Sequence, residues 1–368
     1  MPRAQGAWAR LFVSGGAVNG TDGAGRKADP QRRGDALAFF LHCCYTEIKP
    51  GLPRPAARRG ADVTARLEVQ RLKRIVPILL TALVLCAALP IGALAENGGQ
   101  AAPAINAPML NILEEREAYT VCELSFFPRN GLNIYAELYL PNEGGPAYPT
   151  VLLAHGFAGT LRNMEPYAQA LAENGFAACV FDFCGGSNDS RSDGDTRQMS
   201  VLTEVGDMGF VLDSLLASDL VDKDRLYLMG ESQGGLVAAL LAAQRAEEVC
   251  ALVLLYPALA IPENARAQYA DAASVPETAY VFGTAVGRVY YTDVLELDAY
   301  AEIAAFTGPV LLIHGSADII VPLSCSQRAA EVYADAELTV LDGAGHGFYD
   351  EACASAASEA VAFLREAR

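Results

Sequence analysis

From Pro108 to the C-terminus, short apolar runs alternate with longer stretches in which apolar residues recur every three to four positions. The runs at 132–139, 150–154, 177–181, 225–229, 251–255, 310–313 and 338–341 are dense in Val, Leu, Ile and Ala and read as strands. Between them, 165–174, 201–216, 236–246, 326–334 and 352–366 carry one apolar stripe each and read as helices. Strands separated by helices pair in parallel through crossovers, because a tight turn can only make antiparallel neighbours. The pattern predicts an α/β fold with a mostly parallel central sheet flanked by helices. It lapses once, over 258–306, a stretch about the size of an inserted cap. No internal repeat interrupts it.

The first part of the chain follows another rule. Residues 1–68 scatter Arg, Gly, Ala and Pro without a helical or strand period, and are expected to be a leader that is non-structured or lies ahead of the true start near Val69. The basic segment VQRLKR then precedes the uncharged run 75–95, which closes on Ala93-Leu94-Ala95, a small-x-small site that signal peptidase accepts. Residues 69–95 thus read as an export signal, 96–110 as a flexible linker and 111–368 as one domain with its cap at 258–306. The expected location is outside the cytoplasm. The alternative is an uncleaved anchor at 75–95, because 21 residues at about 1.5 Å each cross a hydrocarbon core of about 30 Å. A membrane partner is expected only in that case.

Charge sharpens the division. Met1–Arg74 holds 14 Lys and Arg against 6 Asp and Glu, whereas the remainder holds 13 against 38, a net charge of −25. A body so acidic repels phosphate backbones, so nucleic acid is not an expected partner. The nine cysteines form no CxxC pair and no Cys/His cluster with zinc spacing, and neither a metal nor an organic cofactor is expected.

The chemistry concentrates in a few motifs. In RLYLMGESQGGL, a strand runs into Gly-Glu-Ser232-Gln-Gly and then a helix, the arrangement of a nucleophile elbow. Residues two before and two after the serine pass so close to one another that a Cβ would clash, which is why glycine is needed there. A serine hydroxyl is a weak nucleophile at neutral pH and needs a base. Of the body's histidines, His155 and His314 each precede a glycine at a strand end and read as loop buttresses. His346, in the glycine-rich loop after the last strand, can reach back over the sheet. Asp318, in HGSAD between serine and histidine in sequence, is the candidate carboxylate to orient the imidazole, with Asp342 its rival and Asp182 a brace of its own loop. Backbone N–H groups of Gln233, directly after the serine, and Phe157, in HGFAG after the second run, are the candidate oxyanion donors. Because those roles belong to the backbone, the two side chains are expected to be less constrained.

The pieces HGFAG (155–159), FDFCGGSNDS (181–190), GESQGG (230–235), HGSAD (314–318) and GAGHGF (343–348) resemble, in order and spacing over roughly 240 residues, the α/β-hydrolase superfamily. Within it the chain is most similar to small cinnamoyl (feruloyl) esterases and serine-aminopeptidase-like hydrolases. The resemblance implies the α/β-hydrolase fold, triad roles for Ser232, Asp318 and His346, and an oxyanion hole at Phe157 and Gln233. It also implies a lid whose polar and aromatic side chains hold a phenolic substrate end. Tyr290, Tyr291 and Gln268 are the candidates carried forward, beside Tyr269 and Tyr280. Glu231 stands where such relatives often have histidine, a change expected to alter local charge and leave the mechanism untouched. The expected activity is hydrolysis of small carboxylic esters, hydroxycinnamates among them, through an acyl-enzyme. Two readings stay open beside it: a peptidase or amidase with the same triad, and a catalytically silent binding module on the same scaffold.

Overall fold

Residues 110–129 and 131–367 are described by a computed structural model; the leader, the export signal and nearly all of the linker expected at 1–110 lie outside the described residues. The strands are β1 (Asn111–Glu115), β2 (Tyr119–Arg129), β3 (Leu132–Pro141), β4 (Tyr148–Ala154), β5 (Ala177–Phe181), β6 (Val221–Glu231), β7 (Ala251–Leu255), β8 (Thr278–Val281), β9 (Thr284–Gly287), β10 (Val310–Gly315) and β11 (Ala336–Leu341). The helices are α1 (Glu165–Glu173), α2 (Val201–Leu216), α3 (Ser232–Gln244), α4 (Ile261–Gln268), α5 (Val289–Thr292), α6 (Ala299–Ile303), α7 (Leu323–Val332) and α8 (Asp350–Glu366). Nine strands share one sheet in the order β1-β2-β3-β5-β4-β6-β7-β10-β11. From β5 to β11 every pairing is parallel, and β1, β2 and β3 add an antiparallel edge. This is the expected α/β-hydrolase arrangement.

Each central strand is buried on both faces, and the two faces feed separate cores. Leu152, Leu228, Leu252, Leu254 and Leu312 point to the side covered by α2 and α3, where Met208, Leu212, Leu236 and Leu240 meet them. Their neighbours Val151, Leu153, Met229, Val253 and Ile313 point to the side covered by α1 and α8, against Leu171, Ala360 and Leu364. That double burial is why the sequence shows continuous apolar runs rather than alternation. Leu252, fully buried in mid-sheet, sits where close-packed strands cannot collapse onto a void. Leu252→Ala is expected to cost about 2–5 kcal/mol, read as a lower urea midpoint with an unchanged slope.

The seven expected strands are present, several of them longer at one or both ends. Two strands of the nine-stranded sheet have no signature, as the separate β8–β9 hairpin has none: β1, an edge strand exposed along its whole length, and β2, whose ladder with β3 shifts register between Leu124 and Phe127. An exposed edge shows no apolar period, and a register shift breaks one. The segment between β7 and β10 carries α4, a separate β8–β9 hairpin, α5 and α6. All six cysteines of the described residues are free thiols, and burial pushes that of Cys179 up to about 12.

Candidate active site

The carboxyl ends of β4, β6, β7, β10 and β11 bring the chemistry-bearing loops to one edge of the sheet, where open α/β sheets bind ligands. Ser232 is the first residue of α3 and has a left-handed backbone, φ 51°. For a residue with a Cβ that conformation is strained by about 1–2 kcal/mol. The turn closes because its flanking glycines leave room: a Cβ on Gly230 would stand 2.3 Å from the Gly234 carbonyl oxygen, and one on Gly234 would stand 2.3 Å from that of His155. The hydroxyl is thereby carried at the helix N-terminus, where four backbone N–H groups have no helical acceptor and the dipole favours negative charge.

His346 Nε2 lies 3.0 Å from Ser232 Oγ. Its Nδ1 lies 2.8 Å from Asp318 Oδ2. The tautomer satisfying both contacts carries its proton on Nδ1, donates to Asp318 and leaves Nε2 to accept from the serine hydroxyl. Asp318 Oδ1 accepts from the Ile320 and Val321 N–H groups at 2.8 and 2.9 Å. Oδ2 also lies 3.3 Å from His314 Nε2. Burial on its own would push the Asp318 carboxyl up, but the hydrogen bonds from His314, His346 and Val321 outweigh it and hold the group well below the usual carboxylate range. The HGSAD turn is tied to the His346 loop by Ala317 N–H donating to Ala344 O at 2.9 Å and Ser316 N–H to Leu341 O at 2.9 Å.

The other candidates serve elsewhere. His155 donates from Nδ1 to Gly156 O (2.8 Å) and accepts at Nε2 from Phe183 N–H (3.3 Å), and burial lowers its pKa and keeps it neutral. His314 accepts from the Ser326 hydroxyl at Nδ1 (2.7 Å) and donates to Val321 O (3.0 Å). Its 3.3 Å approach to Asp318 also makes it a second support for that carboxylate, a role its place four residues earlier could have suggested. Asp182 accepts from Leu161 N–H and Arg191 N–H, and Asp342 accepts from the Ser316 hydroxyl at 3.0 Å.

At the oxyanion side, the Gly156 backbone packs on the elbow: a Cβ there would stand 3.1 Å from Ser232 Cβ. Gly156 N–H is engaged by the Glu231 carboxylate at 3.2 Å, which leaves the next N–H, that of Phe157, as the loop's candidate donor beside Gln233 N–H. The expectation that the Phe157 and Gln233 side chains are loosely constrained is corrected. Gln233 is buried, its Nε2 donates to Glu204 at 2.8 Å, and its Oε1 accepts from the Tyr290 hydroxyl at 2.9 Å. Burial pushes the Glu204 carboxyl well above the usual range. The Phe157 ring meets Tyr290 edge-on at 5.6 Å and Phe282 at 6.4 Å. Candidate oxyanion donors keep a fixed aim only if their peptides are held, and these contacts brace both residues.

The cap candidates separate. Tyr290 is brought against both Phe157 and Gln233; Tyr291 is one ring further, 5.2 Å from Tyr290 and 4.8 Å from Tyr269. Both are buried. Gln268 is exposed and donates to the Tyr269 hydroxyl at 2.9 Å, one ring beyond Tyr291. Phe282, at the tip of the β8–β9 hairpin, was missed by sequence reasoning; it is 65% exposed and extends the ring file outward from Phe157. Among the described residues no group of three or more His, Cys, Asp or Glu side chains is placed to hold a metal ion.

Comparison with known proteins agrees with this fold. A family model described as "Serine aminopeptidase, S33" matches residues 145–300, and one described as "TAP-like protein" matches 296–368. An uncharacterized Mycobacterium tuberculosis protein, Rv2307c, is 30% identical over 223 residues, which are 56% of this chain and 66% of that protein. A putative carbamate hydrolase, RutD of Caulobacter sp. strain K31, is 25% identical over 57% of this chain and 89% of its own length. Est1E of Butyrivibrio proteoclasticus, solved with ferulic acid bound, superposes with a TM-score of 0.62 at 25% identity, covering 66% of this chain and 98% of its own. The chain is an α/β-hydrolase and, within that superfamily, is similar to the serine-aminopeptidase-like hydrolases.

Proposed function

We propose that this protein hydrolyses small carboxylic esters through a covalent acyl-enzyme on Ser232. The observation carrying the proposal is the unbroken contact from Ser232 Oγ through His346 to the buried Asp318 carboxylate, at 3.0 and 2.8 Å. Ser232 Oγ attacks the ester carbonyl carbon as His346 Nε2 takes the hydroxyl proton. The negative charge on the carbonyl oxygen is met by the Phe157 and Gln233 N–H groups. The carbon–alkoxy bond then breaks, with His346 returning the proton to the departing alcohol. A water molecule, deprotonated by the same nitrogen, attacks the acyl-enzyme and releases the acid and free Ser232.

The file Phe282–Phe157–Tyr290 supports an aromatic or flat unsaturated acyl group, since ring pairs at 5.6 and 6.4 Å offer faces and edges for a further ring. Est1E with ferulic acid bound is similar. The serine-aminopeptidase family match favours a second reading, cleavage of amides with the same residues. A panel of methyl hydroxycinnamates, short-chain aryl esters, an aryl carbamate and aminoacyl anilides separates them. The expected result is a kcat/KM at least tenfold higher on the small esters, with Phe282→Ala lowering that of the hydroxycinnamates and sparing the acetate ester. An anilide or carbamate cleaved faster than every ester would overturn the ester assignment and leave the triad in place.

A further inference from the structure

Glu231 precedes the nucleophile and is 7% exposed. Its carboxylate is shared between two segments far apart in the chain. Oε1 accepts from the Gly156 N–H at 3.2 Å, and Oε2 accepts from the Tyr256 hydroxyl at 2.6 Å. Gly156 opens the loop that presents the Phe157 N–H, and a Cβ on it would stand 3.6 Å from Glu231 Oε1. Tyr256 follows β7 and its ring lies edge-on to the His346 imidazole, with centroids 4.8 Å apart, and to Phe348 at 4.6 Å. Tyr256 is itself held in a left-handed conformation, φ 37°, with its N–H donating to Ile313 O at 2.8 Å. A buried tyrosine in that region persists only where its surroundings over-determine it. The Ala258 N–H just beyond donates to the Ser232 carbonyl at 2.8 Å, closing the segment back onto the elbow.

We propose that Glu231 is a positioning residue whose one carboxylate fixes both the Gly156–Phe157 loop on the oxyanion side and the Tyr256 ring against which His346 stands. The proposal rests on the reading of Ser232 and His346 given above. An ordinary structural carboxylate at this place would bond to one partner or to solvent. This one spends both oxygens on the two segments that set the oxyanion donor and the base. Burial, and next the Glu231 charge, raise the Tyr256 phenol well above its usual range, so the phenol keeps its proton to donate. A glutamate here therefore does more than change local charge.

The geometry makes a distinction between two substitutions. In Glu231→Gln the amide oxygen can accept from Gly156 N–H while its NH2 donates to the Tyr256 oxygen, so the bridge survives without charge. In Glu231→Ala both ends are released. The experiment measures kcat and KM on one ester for each variant, with kcat divided by the number of sites titrated by a fluorophosphonate, so that misfolded material does not count. Expected for Glu231→Ala is a loss of about 10²-fold in kcat per titrated site with KM within about threefold, the effect of a misplacement near 1 Å. Glu231→Gln should recover to within about fivefold of the parent. A role confined to stability would move the melting temperature and leave kcat per titrated site unchanged. Parent values in both variants, or equal losses in both, overturn the proposal. If Glu231→Ala gives no folded protein, Tyr256→Phe decides: it removes one bond, keeps the ring on His346, and should lower kcat per site by about three- to tenfold, whereas no change overturns the proposal. Ser232→Ala serves as the separate control. Activity surviving there dismisses the reading of the site itself, while a dead Ser232→Ala beside fully active Glu231 variants dismisses only the bridge.

Discussion

Ser232→Ala is expected to abolish covalent labelling by a fluorophosphonate and to lower ester turnover by at least about 10⁴-fold, with the protein's melting curve nearly unchanged. The size follows from what remains. The Phe157 and Gln233 N–H groups can still polarise a bound carbonyl, so catalysis falls toward the level that a preorganised oxyanion site gives with water as nucleophile. The fold is expected to tolerate the change because alanine has the same Cβ in the same strained turn, so the φ of 51° costs what it cost before. His346→Ala should fall comparably, and the double variant no further, since nucleophile and base act as one unit. The measurement is labelling stoichiometry together with kcat on a chromogenic ester. Undiminished labelling in Ser232→Ala would place the nucleophile elsewhere and remove the basis of the proposed mechanism.

What was legible in the sequence, and what was not, divides along a physical line. Ser232, His346 and Asp318 stand in motifs because their loops impose backbone demands: Gly230 and Gly234 are required by contacts of 2.3 Å, and such demands leave glycines at fixed spacing. The central strands were legible because two-sided burial makes continuous apolar runs. The supporting contacts leave no such trace. Gly156, Tyr256 and Glu231 meet across 75 and 25 residues of chain, and Tyr290 meets Gln233 across 57. Nothing periodic marks a glutamate that will accept two hydrogen bonds, so the sequence shows Glu231 only as a change of charge. The β8–β9 hairpin was also invisible. Its turn uses Phe282-Gly283, both with left-handed φ, in place of the Asn-Gly or Asp-Gly pair that signals such a turn. The exposed ring of Phe282 was missed with it.

Asp318→Asn tests the third contact and should reveal how the imidazole is oriented. In the parent protein Oδ1 is fixed by the Ile320 and Val321 N–H groups, so an asparagine would keep its oxygen there and turn its NH2 toward His346. Nδ1 would then face a donor and have to become an acceptor, which moves the imidazole proton to Nε2. That nitrogen, 3.0 Å from Ser232 Oγ, would donate to the hydroxyl instead of taking its proton. The expected loss is on the order of 10⁴-fold in kcat with KM little changed. Stability supplies an independent reading. The folded-state pKa of Asp318 is depressed, so its ionised form stabilises the protein above the unfolded carboxyl's pKa, and that contribution disappears as pH falls through the folded value. The variant should therefore be less stable than the parent at neutral pH, with the gap narrowing on acidification. The same depression keeps the acid limb of kcat/KM from reporting protonation of Asp318. An unchanged kcat in Asp318→Asn would move the orienting role to Asp342, whose carboxylate accepts from the Ser316 hydroxyl at 3.0 Å and would have to leave it to reach His346.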